Sequence, residues 1–498
     1  MNFKIPRILI AGVHSGSGKT TVTLGLLYLL RQRGLDIRPF KVGPDFIDPG
    51  YHSQIIGIPS RNLDGWMLSK EYNLTTFMQN ASSGDLAVIE GVMGLFDGIS
   101  SDQEDGSSAQ IAKWLDCPVI LIVDSRHMAR SVAPLIQGFE RFDKQLSLAG
   151  VIFNQVGSQR HFEYLKEAVE TYCQTEVLGF VPREESLVIP ERHLGLVTSG
   201  ENLLSQAFLD NFSSILAKNI NIDRLVDIAK KSKELSFQSD SSRFETVLSA
   251  SLLAMTQIRY CEENDKAILN KKGQGGALEE KSTTVAVARD DAFCFYYQDN
   301  LDFLQQTGAR LSFFSPLCDQ VLPNPCDILY LGGGYPELYG LQLSQNQGMI
   351  NSIREFIEDG GKVFAECGGF IYLTRGIETH EQGYFPFIGI YPVKATMGKK
   401  VCLGYCQIHL IQDCLLGYAG SIIRGHEFHY STIEEMPDYI ERAYYSQDWK
   451  GDKRQAEGFL YKNCLAGYPH LHFGSLLTNQ GKRQVSQTCS STTFCNKD

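Results

Sequence analysis

A glycine-rich stretch near the start of the chain has the residue types that bind phosphate. Its sequence is GVHSGSGKTT, and it directly follows an apolar run. Glycines let backbone N–H groups approach phosphate oxygens, a lysine can reach the β- and γ-phosphates, and a hydroxyl can ligate Mg²⁺. A plain glycine turn between a strand and a helix is the alternative, but the whole pattern favours phosphate binding. The candidate binding residues are Gly16, Gly18, Lys19, Thr20 and Thr21.

Polar residues also follow further apolar runs. Asp45 and Asp48 lie in the stretch FKVGPDFIDPGYH, and Glu90 and Asp97 lie in LAVIEGVMGLFDG. Metal–phosphate sites need hard oxygen ligands, and an acid at the carboxyl end of a buried strand is the expected second metal ligand of a P-loop protein. Turn chemistry and strand capping are the alternative roles for these acids. Asn154 ends another apolar run, where its amide can either read an adenine edge or close a turn.

A cysteine in the C-terminal half has the surroundings of a nucleophile. Cys367 lies in KVFAECGGFIYL, between a strand-like and a helix-like run. A strand-to-helix elbow exposes a nucleophile, and a helix N-terminus lowers the pKa of a thiol. The triple-glycine turn of ILYLGGGYPE can offer N–H groups to an oxyanion, and His470 or His472 of YPHLHFGS can act as the base. Together these features favour catalysis over a buried core thiol.

The stretch HEFHY invites comparison with metal-binding helices. Zincin helices carry HExxH, and this stretch is one residue short of that spacing. In a strand, a spacing of three residues points His426 and His429 to opposite faces. We therefore expect a structural or substrate-contact role for these two histidines rather than a metal site.

The elements that must position these residues follow from the hydrophobic pattern. RILIAGV, DIRPFKVG, LAVIEGVM, CPVILIVD and LAGVIFNQV are strand-like, and a helical pattern runs from Lys19 to Arg33. Continuous apolar runs separated by helices are what a parallel sheet covered on both faces requires. A second alternating region begins at TTVAVARDDAF and continues through CDILYLGGGYPE and GKVFAECGG. The sequence thus predicts an α/β protein of two domains, the first a P-loop parallel sheet with helices on both faces.

Polar segments set the expected domain boundaries. Residues 1–220 form the predicted ATP-dependent domain, and residues 221–282 form a linker region containing one helix near 243–258. The second catalytic domain covers 283–478, and a Ser- and Thr-rich tail covers 479–498.

The composition excludes several classes of protein. Hydrophobic residues make up 43% and charged residues 21% of the chain, which is ordinary for a globular protein. Lysine and arginine number 46 against 57 aspartates and glutamates, and the net charge of −11 argues against nucleic acid or an anionic membrane as a partner. No apolar run approaches the roughly 18 residues of a membrane span. The 13 scattered cysteines, without a CxxC pair, predict a reducing, cytoplasmic location.

These motifs together resemble the cobyrinic acid a,c-diamide synthase family, from about residue 7 to 475. The N-terminal half is similar to the dethiobiotin synthetase-like P-loop group, in which the five residues between Gly12 and Gly18 are normal spacing. The C-terminal half resembles a class I glutamine amidotransferase domain, which implies a flavodoxin-like α/β fold. The stretches that carry the resemblance are SGSGKTT, KVGPDFIDPGYH, IEGVMGLFDG, GSSAQIAKWLDCPVILIVD, VIFNQVGSQRH, PERHLGL, GGGYPE, AECGGF, RGHEFHYS and HLHFGS.

The resemblance implies a glutamine-hydrolysing site in the C-terminal half. Cys367 would attack the glutamine amide, His470 would assist, and N–H groups near Gly333 and Gly334 would hold the oxyanion. Class I amidotransferases usually place an acid two residues after the catalytic histidine, where this chain has His472. The cobalamin branch of the family also lacks that acid. The partner that orients His470 therefore stays open, as does a shared role for His472.

The resemblance implies an ATP-dependent ligase site in the N-terminal half. Each carboxylate of cobyrinic acid would attack the γ-phosphate, and ammonia from glutamine would displace phosphate from the resulting acyl phosphate. Mg²⁺ would be held by Thr20, Asp45 and Glu90, while Asp48 and Asp97 would position the corrinoid carboxylate or the ammonia. Asn154 stays a candidate contact to the nucleotide.

Alternatives to this substrate remain open from the sequence alone. The same chemistry can act on hydrogenobyrinic acid or nickel sirohydrochlorin, and pocket residues that one sequence does not reveal would decide among them. A more distant alternative is a non-catalytic P-loop ATPase that regulates a partner, although such a protein does not need the Cys367 cluster. A cobyric acid synthase is a less suitable alternative, because the stretches KVGPDFIDPGYH and HLHF fit the diamide synthase family better. A homodimer is one assembly compatible with the sequence.

Overall fold

The computed structural model describes residues 2–184, 187, 204–236, 282–452 and 454–476. The chain divides into two compact units, Met1–Ser239 and Asp240–Asp498. The helix predicted near 243–258, the PERHLGL stretch and the predicted tail lie outside the described residues. Among the described residues, no helix combines the length and the apolar character that crossing a membrane requires.

The first unit is built on a seven-stranded sheet in which every neighbouring pair is parallel. Its spatial order is β4-β3-β5-β2-β6-β7-β8. These strands are β2 (Arg7–Gly12), β3 (Ile37–Val42), β4 (Arg61–Leu63), β5 (Leu86–Glu90), β6 (Val119–Asp124), β7 (Leu148–Val156) and β8 (Glu176–Pro182). A small antiparallel pair joins β1 (Asn2–Phe3) to β9 (Leu235–Ser236).

Helices cover both faces of this sheet, as predicted. On β2, Leu9 and Ala11 pack in one apolar core and Ile8 and Ile10 in the other, because successive strand residues point to opposite faces. Helices α3 to α6 complete the first core, and α1, α2, α7 and α8 complete the second. The helices are α1 (Lys19–Gln32), α2 (Ile47–Ile56), α3 (Lys70–Ala81), α4 (Ser108–Trp114), α5 (Val132–Phe142), α6 (Gln159–Tyr172), α7 (Gln206–Asn219) and α8 (Ile222–Lys230).

The first unit extends past the boundary expected at residue 220. Helix α8 buries Leu225 and Ile228 in the core beneath α1. The Arg7 guanidinium donates from Nη2 to the carbonyl oxygen of Lys233 at 2.9 Å. Residues 222–236 are therefore packed structure of the first unit, although their polar sequence is typical of a linker.

The second unit contains a twelve-stranded mixed sheet. Its main path has the order β11-β10-β12-β13-β20-β19-β18-β16-β14-β15, while β17 pairs with β16 and β21. The strands are β10 (Thr284–Ala288), β11 (Arg310–Phe314), β12 (Ile328–Leu331), β13 (Lys362–Glu366), β14 (Thr374–Thr379), β15 (Gly383–Pro386), β16 (Tyr391–Leu410), β17 (Ile422–Ile433), β18 (Glu441–Asp448), β19 (Arg454–Tyr461), β20 (Cys464–Gly467) and β21 (His470–Leu471).

The first part of this sheet, β11-β10-β12-β13-β20, is parallel throughout. Its order, second-first-third-fourth along the chain, is that of flavodoxin-like folds, in which ligands collect at the carboxyl ends of the strands. The helices that accompany the sheet within residues 282–452 are α9 (Gln298–Gln306), α10 (Gly340–Gln345), α11 (Gln347–Glu358) and α12 (Gly368–Leu373). The α/β architecture predicted for both halves is confirmed.

Candidate active site

The phosphate-binding loop lies between β2 and α1, as the glycine pattern predicts. Gly18 precedes α1 with φ +94°, and a Cβ there would lie 2.0 Å from Nδ2 of Asn154. Only glycine therefore fits this position. Lys19 and Thr20 form the first turn of α1, and the Lys19 side chain is buried. Burial, followed by the nearby Lys41, lowers the pKa of Lys19.

Oxygen atoms from three elements meet beside Thr20. Thr20 donates from Oγ1 to Oε1 of Glu90 at 2.6 Å and lies 3.3 Å from Oδ2 of Asp48. Lys41 contacts both carboxylates, with 2.9 Å from Nζ to Oε1 of Glu90 and a hydrogen bond to Oδ2 of Asp48. His52 adds a contact of 2.7 Å from Nε2 to Oε2 of Glu90. More than nine-tenths of the surface of each of these residues is buried, apart from Thr20: Lys41, Asp48, His52 and Glu90.

The pKa values of the two carboxyl groups in this cluster shift in opposite directions. Burial disfavours the charge of Glu90, but Lys41 and His52 outweigh it and lower the pKa of this carboxyl. Burial together with Asp45 and Glu90 raises the pKa of Asp48 well above its usual range, despite the Lys41 contact. The Asp48 and Glu90 carboxylates raise the pKa of Lys41, although burial opposes them. The positive charge of Lys41 therefore stabilises this cluster.

The remaining predicted residues of this site lie around that cluster. Asp45 lies 3.7 Å from Nζ of Lys41 and accepts the N–H of Ile47 at the start of α2. Asp97 accepts the N–H of Gly94 at 2.8 Å. Asn154 donates from Nδ2 to the carbonyl oxygen of Ser17 at 3.0 Å.

Cys367 forms the elbow between β13 and α12. Its backbone has φ +47° and ψ −105°, a conformation that residues with side chains rarely adopt. Its N–H donates to the carbonyl oxygen of Gly467 at 2.8 Å, across the β13–β20 pair. Three residues further along the chain is His470, so the cysteine and the histidine follow neighbouring parallel strands.

The triple-glycine turn lies between the elbow and the histidine. A Cβ on Gly333 would lie 2.3 Å from Cε1 of His470, and a Cβ on Gly368 would lie 2.9 Å from the backbone nitrogen of Gly334. Gly369 donates its N–H to the carbonyl oxygen of Gly332 at 2.9 Å. The glycine turn therefore packs against Gly368 and Gly369, which follow Cys367, and against His470.

Two further histidines lie beside His470. The rings of His426 and His470 stack with centroids 5.0 Å apart, since the two residues are register partners of β17 and β21. His426 also contacts the Tyr297 hydroxyl at 3.0 Å from Nδ1. His472 lies 3.8 Å from Oδ2 of Asp299 through Nε2. His426 and His429 both lie in β17, where His429 stacks instead on Tyr468.

Burial controls the charge of this histidine group. It lowers the pKa of His426 to about 3 and that of His472 to about 4, and it lowers the pKa of His470 well below its usual value. Burial, followed by Glu337, raises the pKa of Cys367 far above that of an ordinary thiol. This direction is opposite to the lowering expected from the start of α12, because burial disfavours the charged thiolate.

Comparison with known proteins places this pair of sites in one family. Residues 8–197 match the model for the CobQ/CobB/MinD/ParA nucleotide binding domain, and residues 284–476 match the CobB/CobQ-like glutamine amidotransferase domain. A cobyrinate a,c-diamide synthase of Salmonella typhimurium is 41% identical over 93% of this chain and 94% of its own. One from Dehalococcoides mccartyi is 40% identical over 95% and 96%. The chain belongs to the cobyrinate a,c-diamide synthase family.

Membership in the cobyrinate a,c-diamide synthase family settles the class of enzyme. The chain is a glutamine-dependent amidating ligase with a nucleotide-binding P-loop domain, and the predicted family and enzyme class are confirmed. The order of the two domains also agrees with the prediction, with the nucleotide-binding domain first.

Sequence reasoning missed three buried polar residues that this family member places at its sites. Lys41 and His52 lie inside the quoted stretch FKVGPDFIDPGYH, and a lysine between Phe40 and Val42 in an apolar strand is the signal that could have identified the first. Glu366 precedes Cys367 and accepts the N–H of Leu471 at 2.8 Å. It thereby joins β13 to the residue after His470.

The oxygen cluster fits a divalent cation. The Thr20 hydroxyl lies 2.6 Å from a carboxylate oxygen of Glu90 and 3.3 Å from one of Asp48. Hard oxygen donors of this kind are the ligands that Mg²⁺ prefers. Asp48, expected to position the substrate, lies 3.3 Å from Oγ1 of Thr20. Asp45, expected to be a metal ligand, lies 3.7 Å from Nζ of Lys41 at the border of the cluster.

Proposed function

We propose that the chain amidates the a and c side-chain carboxylates of cobyrinic acid, using ATP and glutamine, in cobalamin biosynthesis. The observation that carries the proposal is the match to proteins named cobyrinate a,c-diamide synthase over more than nine-tenths of the chain. The two clusters of buried polar residues, one in each unit, support it because the reaction needs two separate chemistries.

In the second unit, the proposed reaction is glutamine hydrolysis by Cys367. Burial favours the neutral forms of His470 and of the thiol, so the pair rests uncharged. The lone pair of the neutral ring is the proposed acceptor for the proton of Sγ. The sulfur then attacks the amide carbon, and N–H groups near Gly333 and Gly334 hold the oxyanion. The amide nitrogen takes up the proton and leaves as ammonia, and water cleaves the resulting thioester.

In the first unit, the proposed reaction is carboxylate activation. The N–H groups of Gly16 and Gly18, together with Lys19 and Thr21, bind the phosphates of ATP. The substrate carboxylate attacks the γ-phosphorus and ADP leaves, after which ammonia attacks the acyl carbon and phosphate leaves. Glu90 and Asp48 both contact Lys41 and so keep the reaction space ordered.

A bound Mg²⁺ would supply charge neutralisation at the β- and γ-phosphates. Thr20, Asp48 and Glu90 would hold it, with Asp45 at the border of the cluster. Asp97 would face the substrate from the loop after β5, and Asn154 would act on the nucleotide through the loop it anchors.

The decisive experiment compares three macrocycles. The purified chain is incubated with ATP, Mg²⁺, glutamine and either cobyrinic acid, hydrogenobyrinic acid or nickel sirohydrochlorin, and the products are weighed. We expect the exchange of two hydroxyl groups for two amino groups on cobyrinic acid. Amidation of another macrocycle alone would reassign the substrate, and no product from any of the three would favour the partner-regulating ATPase.

Variants separate the two proposed sites. Cys367→Ala should abolish glutamine-dependent amidation and leave the reaction with added ammonia, whereas Lys19→Ala should abolish both. Cys318→Ala is the matched control, because Cys318 is an exposed cysteine of the same unit. If Cys367→Ala lost the ammonia reaction as well, the two chemistries would not be separate.

A further inference from the structure

Three side chains of the second unit form a cluster that has no part in the glutamine hydrolysis proposed for Cys367 and His470. Cys402 lies on β16, and Glu427 and His429 lie on β17. Their Sγ, carboxylate oxygen and ring nitrogen atoms all lie within 4.8 Å of one another. We propose that Cys402, Glu427 and His429 bind a zinc-like divalent cation.

The pairing of the two strands explains why these residues meet. Cys402 is the register partner of His429, so both side chains point to the same face of the sheet. Glu427 is two residues before His429 and therefore shares that face. The stretch HEFHY alone gives no metal site, because His426 points to the opposite face and the third ligand comes from another strand.

The distances between the ligand atoms are close to those of tetrahedral coordination. Oε2 of Glu427 lies 3.3 Å from Sγ of Cys402 and 3.8 Å from Nε2 of His429. With metal bonds of about 2.0 Å to oxygen and nitrogen and about 2.3 Å to sulfur, the edges of a tetrahedron measure about 3.3–3.5 Å. The sulfur–oxygen distance therefore matches a tetrahedral edge, and the oxygen–nitrogen distance exceeds one by about 0.5 Å, a closure that a bound ion would produce. An ion held by these three atoms has a fourth position for water or another ligand.

The hydrogen bonds of His429 favour a cation in this place. Its Nδ1 lies 2.8 Å from the carbonyl oxygen of Ser431, which can only accept, so Nδ1 carries the proton. In the neutral ring, Nε2 then turns its lone pair toward the Glu427 carboxylate. Two facing lone pairs repel, and a cation between them removes the repulsion.

Neighbouring groups hold the ligands in position. The His429 ring stacks on Tyr468 with centroids 3.9 Å apart, and Ser446 donates to Oε1 of Glu427 at 3.2 Å. Metal-binding histidines and carboxylates are usually supported by such outer contacts. The mixture of sulfur, nitrogen and oxygen suits Zn²⁺ or Co²⁺ rather than Mg²⁺ or Ca²⁺.

Cobalt absorption tests this proposal on the whole chain. With Mg²⁺ in excess to fill the P-loop site, Co²⁺ titration should give one thiolate-to-metal band per chain, and Zn²⁺ should abolish it. Cys402→Ser should remove the band, and Cys318→Ser and Cys367→Ser should keep it. A band that is absent from the wild-type chain, or that persists in Cys402→Ser, would overturn the proposal.

A second measurement guards against an effect on folding. Zn²⁺ affinity of Glu427→Gln and Cys402→Ser should fall about 100-fold or more, since loss of an outer contact alone costs about 10–100-fold. Without metal, the thermal midpoint of Cys402→Ser should equal that of the wild type, because Cys402 is exposed. Added Zn²⁺ should raise the midpoint of the wild type only, and an equal rise in Cys402→Ser would contradict the site.

Discussion

Cys367 shows how a single residue can be marked by its backbone. A positive φ on a residue with a side chain costs on the order of 1–3 kcal/mol and persists only where the surroundings fix it. Two neighbouring elements do so here: the N–H bonds to Gly467, and the carbonyl oxygen accepts the N–H of Ile371 at 2.9 Å. These hydrogen bonds keep Cys367 in its strained conformation at the junction of β13 and α12. A strained backbone at this place supports a role in chemistry rather than in packing.

Gly333 tests the proposed contact between the glycine turn and the catalytic histidine. In Gly333→Ala, the new methyl group would lie 2.3 Å from Cε1 of His470, so the ring must move. We expect glutamine-dependent amidation to fall at least about 100-fold, because a displacement of about 1 Å at reacting groups has that effect. Amidation with added ammonia should stay at the wild-type rate. Steady-state assays with each nitrogen donor measure the difference.

Gly404→Ala provides the matched control for this substitution. A Cβ at Gly404 meets no atom within 4 Å, and the residue lies in β16 of the same unit. Both activities of this control should match the wild type. Equal loss of the glutamine and ammonia reactions in Gly333→Ala would show that the change damages the chain as a whole.

Single residues also show where sequence reasoning reaches its limit. Thr20 and Glu90 could be predicted, because each ends or begins an element with a recognised pattern. Lys41 could not be assigned from its own neighbours, since its partners Asp48 and Glu90 are brought to it by α2 and β5. A buried lysine is stable only when carboxylates surround it, and that surrounding is a property of the fold.

At the scale of elements, the P-loop depends on a strand that is not its neighbour in the sheet. Strand β7 is separated from β2 by β6, yet its Asn154 reaches the carbonyl oxygen of Ser17. The other amide atom, Oδ1, accepts the N–H of Gln155 at 2.9 Å. Asn154 therefore fastens the loop and closes a turn at once, which favours anchoring over reading the adenine edge.

Replacement of Asn154 distinguishes these two roles. In Asn154→Ala, loss of one hydrogen bond of about 0.5–1.5 kcal/mol should weaken nucleotide binding roughly 2–12-fold. If the residue anchors the loop, the binding of ATP and of GTP should weaken equally, because both nucleotides place the same phosphates in the loop. If it contacts adenine, only the binding of ATP should weaken. Fluorescent nucleotide titration measures both, and Asn80→Ala, whose side chain bonds Thr76 within α3, serves as the unaffected control.

The elements themselves were predictable to different degrees. Strands β2, β5 and β13 contain continuous apolar runs that end in Gly12, Glu90 and Glu366, so their existence and their functional ends could be read directly. The long pair β16 and β17 has mixed polarity, and its register shifts between Met397 and Cys402. Cross-strand neighbours depend on register, so the meeting of Cys402 with His429 could not be predicted.

At the scale of the whole molecule, buried ionisable groups act on stability in opposite directions. Burial raises the pKa of Glu366 from 4.5 to about 8 and lowers that of His472 from 6.5 to about 4. Below pH 6.5, His472 takes up a proton in the unfolded chain but stays neutral in the folded protein. The free energy of unfolding therefore falls as the pH falls toward 4. Between pH 4.5 and about 8, folded Glu366 keeps a proton that the unfolded chain has released, so stability falls as the pH rises.

Glu366→Gln should remove the second effect without disturbing the contacts. The amide reproduces the protonated carboxyl, because its oxygen can accept the N–H of Leu471 and its nitrogen can donate to the Tyr330 hydroxyl, 2.8 Å from Oε2 of the wild type. Relative to this variant, the wild type should lose up to about 1.4 kcal/mol of unfolding free energy per pH unit as the pH rises. The loss should occur between pH 4.5 and about 8.

Urea unfolding of both proteins at a series of pH values measures this difference through the shift of the midpoint. Glu381→Gln is the control, because its carboxylate is exposed and its neutralisation should leave the wild-type profile unchanged. Parallel profiles for wild type and Glu366→Gln would mean that Glu366 is ionised in the folded protein. Its carboxylate would then face the Tyr330 hydroxyl as an anion, and β13 would carry a charge directly before Cys367.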